Sequence, residues 1–434
     1  MRHSYATVLL LAARSLAAPA DEAKESATGP DAPAGVLRLP LVPITIEPRP
    51  AGVSRPARHA QADLGVFGYS GRHPLPGFGV ILGIGTPPQE VVAETDTGSD
   101  ALWVPDVRAG RTRVEPVSVF FDRSRSTSIR DLHMKDGRRY THEVAEFDVM
   151  ADVVSIGGRP LGEIYFGVCN VDKPPTSLGR HVGILGLAPG KNKDQFIIQK
   201  MLDQNIVDDG SFSMGVDEQG EGAIIFGGYD TRRFSGPLEK FPLHSTSRVK
   251  YIVNMKSVTL SDSTTANQVM ADQGLTIGLD SGCPGLAVKK PIFTKIQKAL
   301  AATFTHGVLA VNCDKLQSTN VTLAMSDNVS VTMPLKDFEL DLPELATGGN
   351  CLAAISLSDD RASADVRIGH HFLRRAHVVY GDKNVHIARG SNCGSNVVAI
   401  GGGGIPSGVV GECAEQPLGP ISTPPRAPAD EPSP

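Results

Sequence analysis

The chain of 434 residues is long enough for two lobes with processed ends, at roughly 150 residues per domain. Its 41% apolar and 21% charged content is that of a folded globular protein and excludes an extended disordered chain or a coiled coil. A net charge of −5 with both signs mixed gives no footprint for nucleic acid, and no run approaches the roughly 20 apolar residues of a bilayer span.

At the start, Met1, Arg2 and His3 precede an apolar run from Ala6 to Ala13 and small residues at Ser15, Ala17 and Ala18, the pattern of a secretory signal over residues 1–17. Residues 18–70 hold Pro at 19, 30, 33, 40, 43, 48, 50 and 56 without a sustained apolar period, as a removable propeptide would. Between Arg38 and Ala60, Arg38, Arg49, Arg55 and Arg58 against Glu47 alone make a basic stretch ahead of an acidic body, which suits docking by charge. The body divides into an N-terminal lobe, 71–236, and a C-terminal lobe, 237–390. Residues 391–434 form a Gly/Ser/Pro-rich tail without the hydrophobic end of a lipid-anchor signal. A secreted, extracellular protein with no membrane anchor is expected.

From Gly79 to Pro105 the sequence GVILGIGTPPQEVVAETDTGSDALWVP reads as strand, turn at Thr86–Pro88, strand, loop, strand. GEIYFGV, VGILGLAPG and GAIIFGGYD are further Gly-punctuated strand segments, and helical spacing is confined to Phe196–Asn205 and Pro291–Leu300. The class is mainly β. Within it Asp96-Thr97-Gly98 is repeated as Asp280-Ser281-Gly282, 184 residues on, each copy after a strand-like run. The economical reading is an internal duplication in which each half gives one carboxylate. Two Asp side chains brought face to face cannot both ionise cheaply, so they share a proton, one serving as acid and the other as base toward a water. Thr97 and Ser281 can tie the two loops together, and Gly98 and Gly282 let backbone N–H groups approach the carboxylates.

The first copy lies in a longer pattern, LGIGTPPQ before the Asp and LWVP after DTGS, followed by GILGLA, FSMGV, IIFGGYD, LDSG and FLRRAHVVYGDKNVHIA. In that order, over about 77–390, these segments resemble the pepsin-like aspartic proteases, and the Pro-rich leader and SNCGSNVVAI look most like the fungal secreted, yapsin-like branch. The resemblance implies a bilobal pepsin-like fold with a substrate cleft between two β lobes, Asp96 and Asp280 as the catalytic pair, and Ser99 as a hydrogen-bond donor to the first carboxylate. It places Tyr140 on a hairpin flap over the cleft and Trp103 where it can hydrogen-bond that Tyr, with Gly98 and Gly282 also against substrate. It further implies a Cys313–Cys351 disulfide; Cys393 with Cys413 is a further candidate pair, leaving Cys169 and Cys283 single.

Seven residues at four sites depart from the family pattern. Thr141, His142 and Glu143 follow the flap Tyr where Gly is usual, Cys283 and Pro284 follow the second loop where a hydroxyl is usual, Asp100 replaces a Ser, and Arg367 takes a normally apolar place behind the second loop. Sequons at Asn320 and Asn328 fit a glycosylated, secreted chain. His370, His371 and His377 are no metal set, since neighbours on a strand face opposite ways, so no cofactor or metal is expected. The reading is a monomeric, secreted aspartic endopeptidase zymogen acting on peptides or proteins at acid pH; the alternative is a catalytically impaired pepsin-fold protein serving as an extracellular binding or inhibitory module.

Overall fold

The computed structural model describes residues 32–46, 75–106, 120–139, 144–169, 183–189, 196–217, 222–244, 251–262, 267–305, 307–340, 348–358 and 362–415. In the first half, eight strands form one sheet in the order Val42–Ile46, Leu75–Ile84, Gln89–Asp96, Gly183–Gly186, Leu102–Pro105, Arg159–Cys169, Val144–Ile156, Arg130–Arg139. Leu75–Ile84 also pairs with Val144–Ile156, folding the sheet back on itself. Burial on both faces explains why EVVAET is nearly continuous in burial rather than alternating, as a strand covered from both sides must be. The expected turn at Thr86–Pro88 joins Leu75–Ile84 to Gln89–Asp96 and contains a cis Thr86–Pro87 bond.

The second half repeats the central part of that plan. Strand Gln89–Asp96 runs parallel to Gly183–Gly186, which is antiparallel to Leu102–Pro105, which is parallel to Arg159–Cys169. Likewise Leu275–Leu279 runs parallel to Val366–Ile368, which is antiparallel to Leu286–Val288, which is parallel to Ile355–Leu357. The duplication read from two short triplets therefore extends to four strands and their directions. In each copy the glycine of ILG or RIG sits beside the Asp loop. A Cβ on Gly186 would lie 2.4 Å from the Ala101 nitrogen and one on Gly369 would lie 1.9 Å from the Asp280 carbonyl oxygen, so both positions need the bare backbone.

A six-stranded sheet joins the halves in the order Leu37–Pro40, Gly222–Phe226, Phe212–Val216, Ala376–Tyr380, Asn384–Gly390, Phe234–Pro242. Its aromatic residues face the junction: Tyr380 stacks on Phe212 at 5.0 Å and meets Tyr251 edge-on at 4.8 Å. The boundary drawn between 236 and 237 falls inside Phe234–Pro242, where the register shifts between Ser235 and Glu239. The two helical segments appear as Ile197–Asp203 and Lys290–Ala299, each burying an apolar face.

Two segments that composition marked as irregular carry structure. Within 18–70, Leu37–Pro40 and Val42–Ile46 pair with Gly222–Phe226 and Leu75–Ile84, and Val36, Leu37, Leu39 and Leu41 are buried. The proline count hid the alternation of LRL, whose leucines face the core. Arg49, Arg55 and Arg58 lie outside the described residues. In the tail, Val397–Ala399 pairs with Gly228–Asp230, and Val397, Ile400 and Cys413 are buried. Disulfides join Cys313 to Cys351 and Cys393 to Cys413, while Cys169 and Cys283 are buried thiols. Closing loops of 38 and 20 residues stabilises by about 3 to 4 kcal/mol each in the chain-entropy model. No helix among the described residues is long and apolar enough to cross a membrane.

Candidate active site

Asp96 ends the strand Gln89–Asp96, and the next three residues turn back over its carboxylate. Its Oδ1 accepts the Gly98 N–H at 2.8 Å and its Oδ2 accepts the Ser99 hydroxyl at 2.5 Å. Asp280, at the corresponding end of Leu275–Leu279, accepts the Gly282 N–H on Oδ1 at 3.1 Å. The two loops are bound to each other by their hydroxyl residues. Thr97 Oγ1 accepts the Ser281 N–H at 2.8 Å and donates to the Leu279 carbonyl at 2.8 Å; Ser281 Oγ accepts the Thr97 N–H at 2.9 Å and donates to the Thr95 carbonyl at 2.6 Å. All four bonds are buried. Each glycine faces the opposite acid: a Cβ on Gly98 would lie 2.5 Å from Asp280 Oδ1, and one on Gly282 would lie 2.8 Å from Asp96 Oδ1. The structure thus brings Asp96, Thr97, Gly98, Ser99, Asp280, Ser281 and Gly282 into one cluster.

The environment favours a neutral Asp96. Burial, then the Asp280 charge, push its pKa up to about 8 against the lowering pull of the Ser99 and Gly98 hydrogen bonds. Glu94, two residues earlier, adds to the rise. Glu94 is 1% exposed and its Oε1 lies 3.4 Å from Nε2 of the fully buried His370, a pair across the two halves that the sequence reading did not foresee. Its signal was a carboxylate directly after the apolar run Val91–Ala93, on a strand buried along most of its length. Beneath the loops, the Tyr380 hydroxyl hydrogen-bonds the Thr97 side chain.

Two of the departures are in contact. Arg367, on Val366–Ile368, reaches to 3.7 Å between Nη1 and Asp280 Oδ2, and it also hydrogen-bonds the side chain of Cys283. The Cys283 thiol donates to the Gly285 carbonyl at 3.4 Å. Where a small hydroxyl was expected, a sulfur and a guanidinium share the flank of the second acid. Asp100 neither joins the pair nor stands alone in solvent: its Oδ1 takes Nε of Arg138 at 3.1 Å, tying the loop after Asp96 to the hairpin strand Arg130–Arg139. Trp103 is 2% exposed and packs with Ala145, Phe147, Val149, Cys169 and Ile184 at the base of that hairpin. Tyr140, with Thr141, His142 and Glu143, lies outside the described residues.

His370 and His371 open the helix His370–Leu373 instead of lying on a strand, which corrects the reason given for setting them aside. Burial pulls His371 down to about 3 and His377, stacked on Phe234, down to about 4. Among the described residues no group of three or more His, Cys, Asp or Glu side chains converges as a metal set would.

Two acids, one biased toward its protonated form and both held by backbone N–H donors, are equipped to move protons to and from a substrate placed between them. The family model described as "Eukaryotic aspartyl protease" matches residues 78–391. A probable aspartic-type endopeptidase opsB of Aspergillus oryzae is 26% identical over 348 residues, covering 74% of this chain and 70% of its own length. The vacuolar protease A of Neurospora crassa is 25% identical over 333 residues, covering 72% and 79%, and the secreted aspartic protease 8 of Candida albicans 25% identical over 326 residues, covering 70% and 73%. With both Asp loops inside a match that takes in well over half its length, the chain belongs to the eukaryotic aspartyl protease family.

Proposed function

We propose that the protein is a secreted aspartic endopeptidase that hydrolyses peptide bonds at acid pH through Asp96 and Asp280. The observation that carries this reading is the reciprocal Thr97–Ser281 bonding, which leaves the two carboxylates no choice but to share one site. In the first step the Asp280 carboxylate takes a proton from a water as its oxygen attacks the peptide carbonyl carbon, and Asp96 gives its proton to the carbonyl oxygen, forming a gem-diol. In the second, Asp280 passes its proton to the amide nitrogen as the C–N bond breaks, and Asp96 recovers a proton from one diol hydroxyl. Burial of Asp96 and the cation beside Asp280 both favour this division of roles. One chain supplies both acids, so a monomer suffices. The Pro-rich leader supports the yapsin-like placement, and a secreted relative supports release.

A second reading, a pepsin-fold binding module with impaired turnover, is favoured by one observation: Arg367 crowds Asp280 where a donor hydroxyl was expected. Acid-treated protein assayed on denatured globin from pH 2 to 6 separates the two. Cleavage blocked by a transition-state-mimicking peptide, and reduced at least about a thousandfold in Asp96→Asn, is expected; no cleavage by the wild type, with tight binding to another protein, would favour the module.

Residues 1–17 are proposed as the signal and 18–70 as the leader of a zymogen. N-terminal sequencing of the active form should find a terminus beyond residue 46; full activity in a chain that still begins near residue 18 would refute the zymogen.

The Arg367 guanidinium favours loss of each proton from the acid pair. Arg367→Leu should therefore move both limbs of the pH–rate profile toward higher pH by about one unit, the usual scale of such shifts. Unmoved limbs would mean that solvent screens the cation from the pair.

Asp96 also links stability to pH. Its pKa in the fold is raised, so the native state holds the proton longer than the unfolded chain, and its contribution is full below about pH 4 and lost as pH rises through about 8. Urea unfolding should show stability falling between pH 5 and 8, and Asp96→Asn should flatten that fall; an equal slope in the variant would contradict the linkage.

A further inference from the structure

At the far end of the six-stranded sheet from the acid pair lies a cavity of about 230 Å³. Tyr380, which bonds Thr97, ends the strand Ala376–Tyr380 at the catalytic side; Ala376, at its other end, lines the cavity, about 13 Å away at the strand rise. Four arginines line it, Arg233, Arg374, Arg375 and Arg389, against two acids, Asp217 and Glu415. Three of the four have carboxylate partners: Arg375 pairs with Asp337 at 3.2 Å, Arg233 with Asp217 at 3.7 Å, and Arg389 with Glu415. Asp217 is itself shared, since its Oδ2 accepts the Asn392 amide at 2.6 Å.

Arg374 differs. It is 6% exposed, its nearest aromatic neighbour is the Phe78 ring at 5.5 Å, and its Nε and Nη1 are buried with no hydrogen-bond acceptor among the described residues. A buried guanidinium with unmet donors is costly, and such groups are normally met by an opposite charge. Ser330 and Thr332, on the strand Ser330–Pro334, also line the cavity and bring hydroxyl groups to it. The lining is therefore rich in donors, net positive, and of a size for a small organic ion.

We propose that this cavity binds a small multivalent oxyanion, of the phosphoryl or polycarboxylate kind, that neutralises Arg374 and bridges it to Arg233 and Arg389. Guanidinium groups suit such ions because their planar donor pairs match two oxygens at once. Burial, with the neighbouring Arg375 charge, lowers the Arg374 pKa against the pull of Asp337 and Asp217, two carboxylates already paired with Arg375 and Arg233. The site is separate from the acid pair and stands whether or not the chain turns over peptides.

Isothermal titration of the full-length protein with inorganic phosphate and with citrate, at constant ionic strength set by NaCl, tests it. Saturable binding of at least one probe is expected, weakened at least tenfold in Arg374→Met and several-fold in Arg233→Gln. Binding of phosphate alone points to a phosphoryl source and binding of citrate alone to a polycarboxylate. In anion-free buffer, Arg374→Met should melt no lower than the wild type, because it removes buried donors that have no acceptor. No saturable heat with either probe up to 10 mM, or affinity unchanged in Arg374→Met, would overturn the proposal. Should Arg374→Met fail to fold, affinity unchanged in both Arg233→Gln and Arg389→Gln would overturn it equally.

Discussion

Everything in this molecule turns on two side-chain hydroxyls. Thr97 and Ser281 each accept an N–H from the opposite loop and donate to a carbonyl behind it, in a buried setting where an unmet partner costs about 1 to 3 kcal/mol. Such a closed exchange has one geometry. It fixes the separation of the two loops before any substrate arrives, and the strands Gln89–Asp96 and Leu275–Leu279, each held in its own sheet, serve to deliver each loop to it. The aromatic residues of the joining sheet, Tyr380 above all, back the exchange with a rigid floor.

What was legible in the sequence was local. The strand–turn–strand from Gly79 to Pro105 declares itself by its own prolines and apolar runs, and Ser99 lies three residues from the acid it serves. The doubled triplet foretold two carboxylates, and the matching strand directions of the two halves follow from the same duplication. The pairs Glu94–His370, Asp100–Arg138 and Arg367–Cys283 were not foreseen. Each joins residues 38 to 276 positions apart whose meeting depends on how strands cross, and charge alone does not choose among partners at that range. Composition misled in the opposite sense at Leu37–Pro40, where a proline-rich stretch still pays out two core leucines at strand spacing.

The departures from the family pattern are easier to understand together than singly. A cysteine in place of a hydroxyl removes a good donor, yet its sulfur provides a resting place for Arg367, and the guanidinium supplies the positive charge at Asp280 that the lost donor no longer offers. The first lobe keeps the short Ser99 bond to its acid. The two acids are thus stabilised by different means, one by a hydroxyl and one by an ion, and that asymmetry distinguishes them although the loops around them are near copies.

The strand Leu37–Pro40 lies at the outer edge of the joining sheet, with only Gly222–Phe226 beside it. A cut in the chain beyond residue 46 would leave this strand held by its ladder to Gly222–Phe226 and by the burial of Leu37 and Leu39. Were it to leave, the open rim of Gly222–Phe226 would present a ladder of unused amides, an adhesive surface for any extended chain nearby. The strand Leu37–Pro40 is therefore also a guard against self-association, because it covers an edge that would otherwise stand open.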